Sequence, residues 1–114
     1  AYAVFATGGV ELGITQATMD VLTTPSQPPS LGKRDKVLKV NTAYSFGFMK
    51  PFSSFQFGSS ERAFGTMGAG GSFGFADPDA QVGFAYAMTR MGFYIWDDPR
   101  EKALRDAFYR CLKR

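Results

Sequence analysis

The sequence predicts an α+β chain, an antiparallel sheet with flanking helices. Three observations carry this. Three short stretches alternate large and small residues, a glycine-rich run precedes the second of them, and a C-terminal segment opens on Asp-Pro and then repeats apolar residues at helical spacing. With 114 residues, 45% of them hydrophobic and 20% charged, the chain can bury a core and is too apolar for disorder. Its 12 Phe and 13 Gly suit strands with one bulky face and one face open to close approach.

Taken in order, residues 1 to 9 are apolar and end in Gly8-Gly9, the tail of a helix or strand that stops at a turn. Thr15 is placed to cap a short helix, Gln16 to Leu22, with Met19 and Leu22 inward. Pro25, Pro28, Pro29 and Gly32 make Thr24 to Asp35 a loop. Tyr44 to Met49 reads as a strand with Tyr44, Phe46 and Phe48 on one face, and Ser72 to Ala76 as a strand with Phe73 and Phe75 on one face. Val82 to Met88 sets Val82, Phe84, Tyr86 and Met88 against Gly83, Ala85 and Ala87. The second faces are small rather than polar, as where a helix packs closely on a sheet. Asp77-Pro78-Asp79-Ala80-Gln81 joins the last two strands as a hairpin turn, and Phe64-Gly65 extends the sheet. The regions are therefore 1–43, helix and loop; 44–92, antiparallel strands with the glycine run; and 98–113, the C-terminal helix.

That helix starts at Asp98 as N-cap with Pro99 at the first helical position and Glu101 three residues past the cap. Ala103, Leu104, Ala107, Phe108, Cys111 and Leu112 form one stripe, expected to face the core and to bury Cys111 as an inert thiol. The net charge of +3 is uneven. From Pro99 onward six basic residues oppose two acidic ones, giving +4, and the rest carries −1. Helix electrostatics and solvation account for most of that surplus, with no partner required.

Several function classes are excluded or disfavoured. With no His, the chain holds no Ser-His-Asp triad, Cys-His dyad or His-bearing zinc site, and one Cys forms no internal disulfide. Asp77, Asp79, Asp97 and Asp98 read as turn and cap residues, so no metal site is expected, and nothing calls for a cofactor. The longest uncharged stretch, Ala63 to Ala76, is glycine-rich and too short to span a bilayer as a helix, so no membrane partner is expected. A start at Ala1-Tyr2-Ala3-Val4 is expected of a chain taken from something longer. Gly83-Phe84-Ala85-Tyr86-Ala87-Met88 mimics the base-stacking strand of an RNA-binding sheet. Val82 stands where the basic residue belongs and the order of elements differs, so nucleic acid is not the expected partner.

The run Gly65-Thr66-Met67-Gly68-Ala69-Gly70-Gly71-Ser72 lacks the Lys-Ser/Thr of a phosphate loop and leads into a strand, not a helix. It reads either as glycines needed for bends and packing, or as a strand edge stripped of side chains against which a substrate lies and takes backbone hydrogen bonds.

The stretch Phe64 to Asp79, followed by Gly83 to Met88 and Arg90-Met91-Gly92, resembles the C-terminal part of the serine β-lactamase and penicillin-binding-protein superfamily. It is most similar to class C β-lactamase-like esterases. The resemblance implies the C-terminal share of a β-lactamase/transpeptidase-like fold and a serine acyl-enzyme route to ester or amide hydrolysis. It sets Thr66-Met67-Gly68 where those proteins carry Lys-Thr-Gly or His-Thr/Pro-Gly, with Thr66 in place of the cation or imidazole. It implies that Ala69 gives a backbone N–H to the oxyanion hole and that Thr66, Met67, Gly68, Gly70 and Gly71 bind substrate. The Ser-x-x-Lys nucleophile and the Tyr-x-Asn motif are expected upstream of Ala1, leaving this chain silent by itself. A small ester or amide is the implied substrate, and a complementary N-terminal segment of the fold, or self-association, the implied partner. That partner is expected to cover an aromatic face of Phe46, Phe48, Phe73, Phe75, Phe84 and Tyr86, which the loop Thr24 to Asp35 covers at most in part. A non-catalytic structural or interaction module is the alternative.

Overall fold

The computed structural model describes residues 1–112. Lys113, the expected last residue of the C-terminal helix, lies outside them, as does Arg114. The elements are α1 (Tyr2–Ala6), a 3-10 turn (Val10–Leu12), α2 (Gln16–Thr23), β1 (Tyr44–Ser45), β2 (Phe48–Met49), β3 (Phe64–Met67), β4 (Phe73–Asp77), β5 (Val82–Tyr86) and α3 (Pro99–Leu112). The strands form one antiparallel sheet in chain order. This is the α+β arrangement expected of the sequence. Thr15 caps α2 by accepting the Thr18 N–H at 3.3 Å, and Met19 and Leu22 are buried.

The two faces of the sheet close differently. On the small face α1 lies directly on β4 and β5. A Cβ at Gly83 would stand 2.2 Å from the Ala3 nitrogen, and one at Gly74 would stand 2.6 Å from the Tyr2 ring. Side-chain-free positions let a helix backbone reach the sheet, which is the expected use of this face. Ala6, Met19, Leu22, Phe64 and Ala76 form the buried cluster beneath, with Phe5 and Phe48 packed against it. On the other face Phe73 and Phe75 are buried, and Phe75 stacks on Phe84 at 5.2 Å. Phe57 stands edge-on to Phe73 at 5.0 Å and Phe55 lies 5.1 Å from Phe73.

Four sequence expectations are corrected here. Tyr44 to Met49 is not one strand but the hairpin β1–β2. Phe46 and Gly47 turn it with φ of 48° and 89°, both left-handed as a two-residue hairpin of primed type requires, and Phe46 is 75% exposed. Alternation alone cannot see that reversal, because a hairpin this short keeps the pattern of a single strand. Of the expected aromatic face, Phe73, Phe75 and Phe84 are covered by the chain's own Phe52, Phe55 and Phe57 together with Trp96 and Tyr109, not by the loop Thr24 to Asp35, while Phe48 packs on the opposite face beside Phe5 and Phe64. Of the two rings that would stack bases in the RNA-binding alternative, Phe84 is packed against this core.

The third and fourth corrections concern α3. Its buried residues are Glu101 and Arg105, while Leu104 and Leu112 are 57% and 50% exposed and Cys111 is exposed. Arg105 binds Glu101 through Nε at 2.6 Å and Asp97 through a terminal nitrogen at 2.6 Å, and also donates to the Gln56 carbonyl. Its guanidinium sits 5.4 Å over Phe55 and 5.8 Å over Phe73. The aromatic layer presents ring faces and an orphan carbonyl, and a planar cation satisfies both where a leucine cannot. Arg105 is therefore a buried structural cation rather than part of a solvated surplus. Glu101 is held by Arg105 as an i, i+4 pair within α3.

Candidate active site

The site is built where β3 outruns its neighbour. β3 pairs with β4 from Phe64↔Ala76 to Met67↔Phe73, and the ladder continues one step through the Gly68 N–H to the Ser72 carbonyl at 2.8 Å. On its other side β2 reaches only Gly65, through Met49. Successive residues of an antiparallel strand send their N–H groups to opposite sides. Gly68 faces β4, so Met67 and Ala69 face the side that β2 leaves open.

The turn from Gly68 to Ser72 fixes this direction. The Gly71 N–H donates to the Gly68 carbonyl at 3.4 Å, inside the turn. In a trans peptide the N–H opposes the C=O, so the Ala69 N–H points out of the turn. Among the described residues it donates to no backbone or side-chain acceptor, and Ala69 is exposed. Gly70 and Gly71 have φ of 89° and 110°, which only glycine adopts freely. Their inner sides are filled as well. A Cβ at Gly70 would meet Met91 at 2.9 Å, and one at Gly71 would meet an Asp98 carboxylate oxygen at 2.5 Å.

The predicted site residues thus divide. Thr66 and Ala69 are exposed at the open edge, and Gly68 lies against the Ser72 hydroxyl. Met67 turns its side chain onto the aromatic core, leaving only its backbone for the edge. Gly70 and Gly71 form the buried inside of the turn. Behind it stands a pair whose second role the sequence hid. Asp98 caps α3 as expected, accepting the Arg100 N–H at 3.0 Å, and also holds the Arg100 guanidinium at 2.9 and 2.7 Å. That hydrogen bond depresses the Asp98 carboxyl below its ordinary range and raises the Arg100 guanidinium.

Other candidates for chemistry do not converge on the turn. Ser30-Leu31-Gly32-Lys33 has the Ser-x-x-Lys spacing, which corrects the expectation that this motif lies only outside the chain. Both ends are exposed on an irregular loop, and the Ser30 hydroxyl makes no hydrogen bond to Lys33, so nothing there activates the serine. A cavity of about 540 Å³ opens beside that loop along Pro25, Pro28, Lys33 and Tyr44, and is lined by none of the glycine-run residues. Lys50 is fully buried, donating to the Thr23 and Arg62 carbonyls at 2.9 and 3.0 Å. Burial, with nearby Arg62, pushes its ammonium down to about 8. Among the described residues no acidic or cysteine cluster of metal-binding size occurs, and no helix is long and apolar enough to cross a membrane.

No family model matches the sequence, and no curated protein does. Solved structures do. A penicillin-binding-protein homologue from Caulobacter crescentus matches 96% of this chain at 35% identity with a TM-score of 0.81. A family VIII carboxylesterase matches 96% at 36% identity and 0.82. The chain belongs to the serine β-lactamase and penicillin-binding-protein superfamily. EstA from Arthrobacter nitroguajacolicus Rue61a matches 84% of the chain at 28% identity with a TM-score of 0.61. The chain spans 29% of the length of the first two proteins and 25% of the third, and corresponds to a C-terminal portion of the superfamily fold.

Proposed function

We propose that this chain is the C-terminal part of a serine hydrolase that cleaves small esters or amides through an acyl-enzyme. In this reading it supplies the glycine-rich strand along which substrate lies and one oxyanion-hole donor, the Ala69 N–H. The observation that carries the reading is the outward, unpaired Ala69 N–H on an edge that β2 leaves open. A donor fixed by a hydrogen-bonded turn costs no reorganisation when charge develops on a carbonyl oxygen. Similarity to a carboxylesterase favours an ester substrate. Thr66 at the open edge carries no charge, so recognition of an anionic substrate group falls to other residues.

The nucleophile and its base come from the rest of the fold, which also covers the exposed stripe of α3. Leu104, Phe108 and Leu112 expose a ridge that water disfavours, and β5 is an edge strand of the sheet. The complete protein, assayed with p-nitrophenyl esters, tests the reading. Replacing Ala69 by Pro removes the donor and is expected to lower kcat roughly 10²–10³-fold, with Ala69→Gly much milder. Full activity in a folded Ala69→Pro variant, checked by circular dichroism, would overturn it.

A further inference from the structure

The glycine turn is braced from behind by one side chain. The Arg100 guanidinium, clamped on Asp98, donates to the Arg90 carbonyl at 2.8 Å and to the Gly70 carbonyl at 3.4 Å. The Gly70 carbonyl also accepts the Gly92 N–H at 2.8 Å. Asp98 is 2% exposed and occupies the space that a side chain at Gly71 would need. A Cβ at Gly92 would stand 2.9 Å from both the Asp98 carboxylate and the Arg100 guanidinium. Three backbone segments, Gly70–Gly71, Arg90–Gly92 and the first turn of α3, are thus cast around one ion pair. A void of about 10 Å³ lies between the turn and the core, lined among others by Gly71, Trp96 and Asp98.

We infer that Arg100 is a positioning residue for the hydrolytic reaction. By holding the Gly70 carbonyl it fixes the plane of the Gly70–Gly71 peptide, whose N–H donates to the Gly68 carbonyl, and that carbonyl shares one peptide plane with the Ala69 N–H, so the aim of the Ala69 N–H is fixed with it. The inference rests on the oxyanion reading given above. Lysine at position 100 has no planar fork, so it can hold Asp98 or the carbonyls but not both in this geometry.

The complete protein with Arg100→Gln and Arg100→Lys tests this, beside Ala69→Pro. Misaiming a reacting group by about an ångström costs up to roughly 10²-fold. The expected result is a fall in kcat of about 10- to 100-fold for Arg100→Gln, a smaller fall for Arg100→Lys and little change in KM for a short ester. Added guanidinium ion should restore part of the Arg100→Gln rate. Amide hydrogen exchange is read on the same variants. The Gly71 and Gly92 N–H groups should exchange at least several-fold faster while those of β4 keep their rates. Unchanged exchange at Gly71 and Gly92 overturns the inference whatever the activity does. Unchanged kcat in Arg100→Gln with activity lost in Ala69→Pro overturns it and leaves the oxyanion reading standing. Full activity in Ala69→Pro removes the oxyanion reading and the inference together.

Discussion

Helix α1 is five residues long and meets the sheet backbone to backbone, whereas α3 is fourteen residues long and meets it through charge. Under α1 the strand positions are Gly74 and Gly83, so the contact is close and uncharged. Under α3 the contact is Arg105 over Phe55 and Phe73, with Glu101 and Asp97 neutralising it. The difference teaches that an apolar stripe marks the most apolar face of a helix, not the face its own chain buries. In α3 the stripe is left over and is available to the rest of the fold.

Charge holding α3 is the half of this contrast that breaks hardest. Arg105→Met leaves Glu101 buried without its cation and the Gln56 carbonyl without a donor. It should destabilise the chain by about 3–5 kcal/mol in urea unfolding. Replacing Glu101 by Leu as well should recover much of that. A loss under about 1 kcal/mol for the single variant would show that α3 is not held by this pair. The apolar half breaks at Gly83→Val. Its side chain would drive into the Tyr2–Ala3 backbone, costing about 1–3 kcal/mol as α1 lifts and Tyr2 becomes solvent-accessible. Unchanged stability would mean that α1 does not dock where described.

Lys50 separates burial of charge with a counterion from burial without one. Unlike Arg105 it makes no ion pair, donating to two carbonyls beside the Phe64 ring, and burial lowers it from 10.5 to about 8. Its folded value is depressed, so between about pH 8 and 10.5 the unfolded chain binds more protons and stability contributed at this site rises with pH. The neutral amine still donates to both carbonyls. Relative to Lys50→Met, the wild type should gain about 1–3 kcal/mol across that window and nothing below it. A flat difference across the window would contradict the buried placement. The smallest effect belongs to the free stripe. Leu104→Gln should change the stability of this chain by no more than about 0.5 kcal/mol, but destabilise the complete protein by about 2 kcal/mol or more. Equal effects in both would show that the stripe stays exposed.

The sheet was legible because alternation and the glycines of the small face are local signals, and both β4 and β5 obey them. The Phe46-Gly47 reversal was not, since nothing marks a two-residue turn within so short an alternating stretch. Ala69 was legible only through resemblance. Its role depends on β2 stopping at Gly65, a matter of sheet register that no local pattern records. Arg100 was hidden for a related reason. It reads as one more basic residue in a basic helix until the fold brings the Gly70 and Arg90 carbonyls against it.

The most direct test of the outward Ala69 N–H is a crystal structure of the complete protein inhibited by a phosphonate ester, whose phosphonyl oxygen stands where the oxyanion of the tetrahedral intermediate would be. One such oxygen should lie about 2.7–3.1 Å from the Ala69 nitrogen, with the Gly71 to Gly68 hydrogen bond of the turn still in place. A phosphonyl group seated elsewhere, or an Ala69 N–H donating to another protein atom, would contradict the assignment.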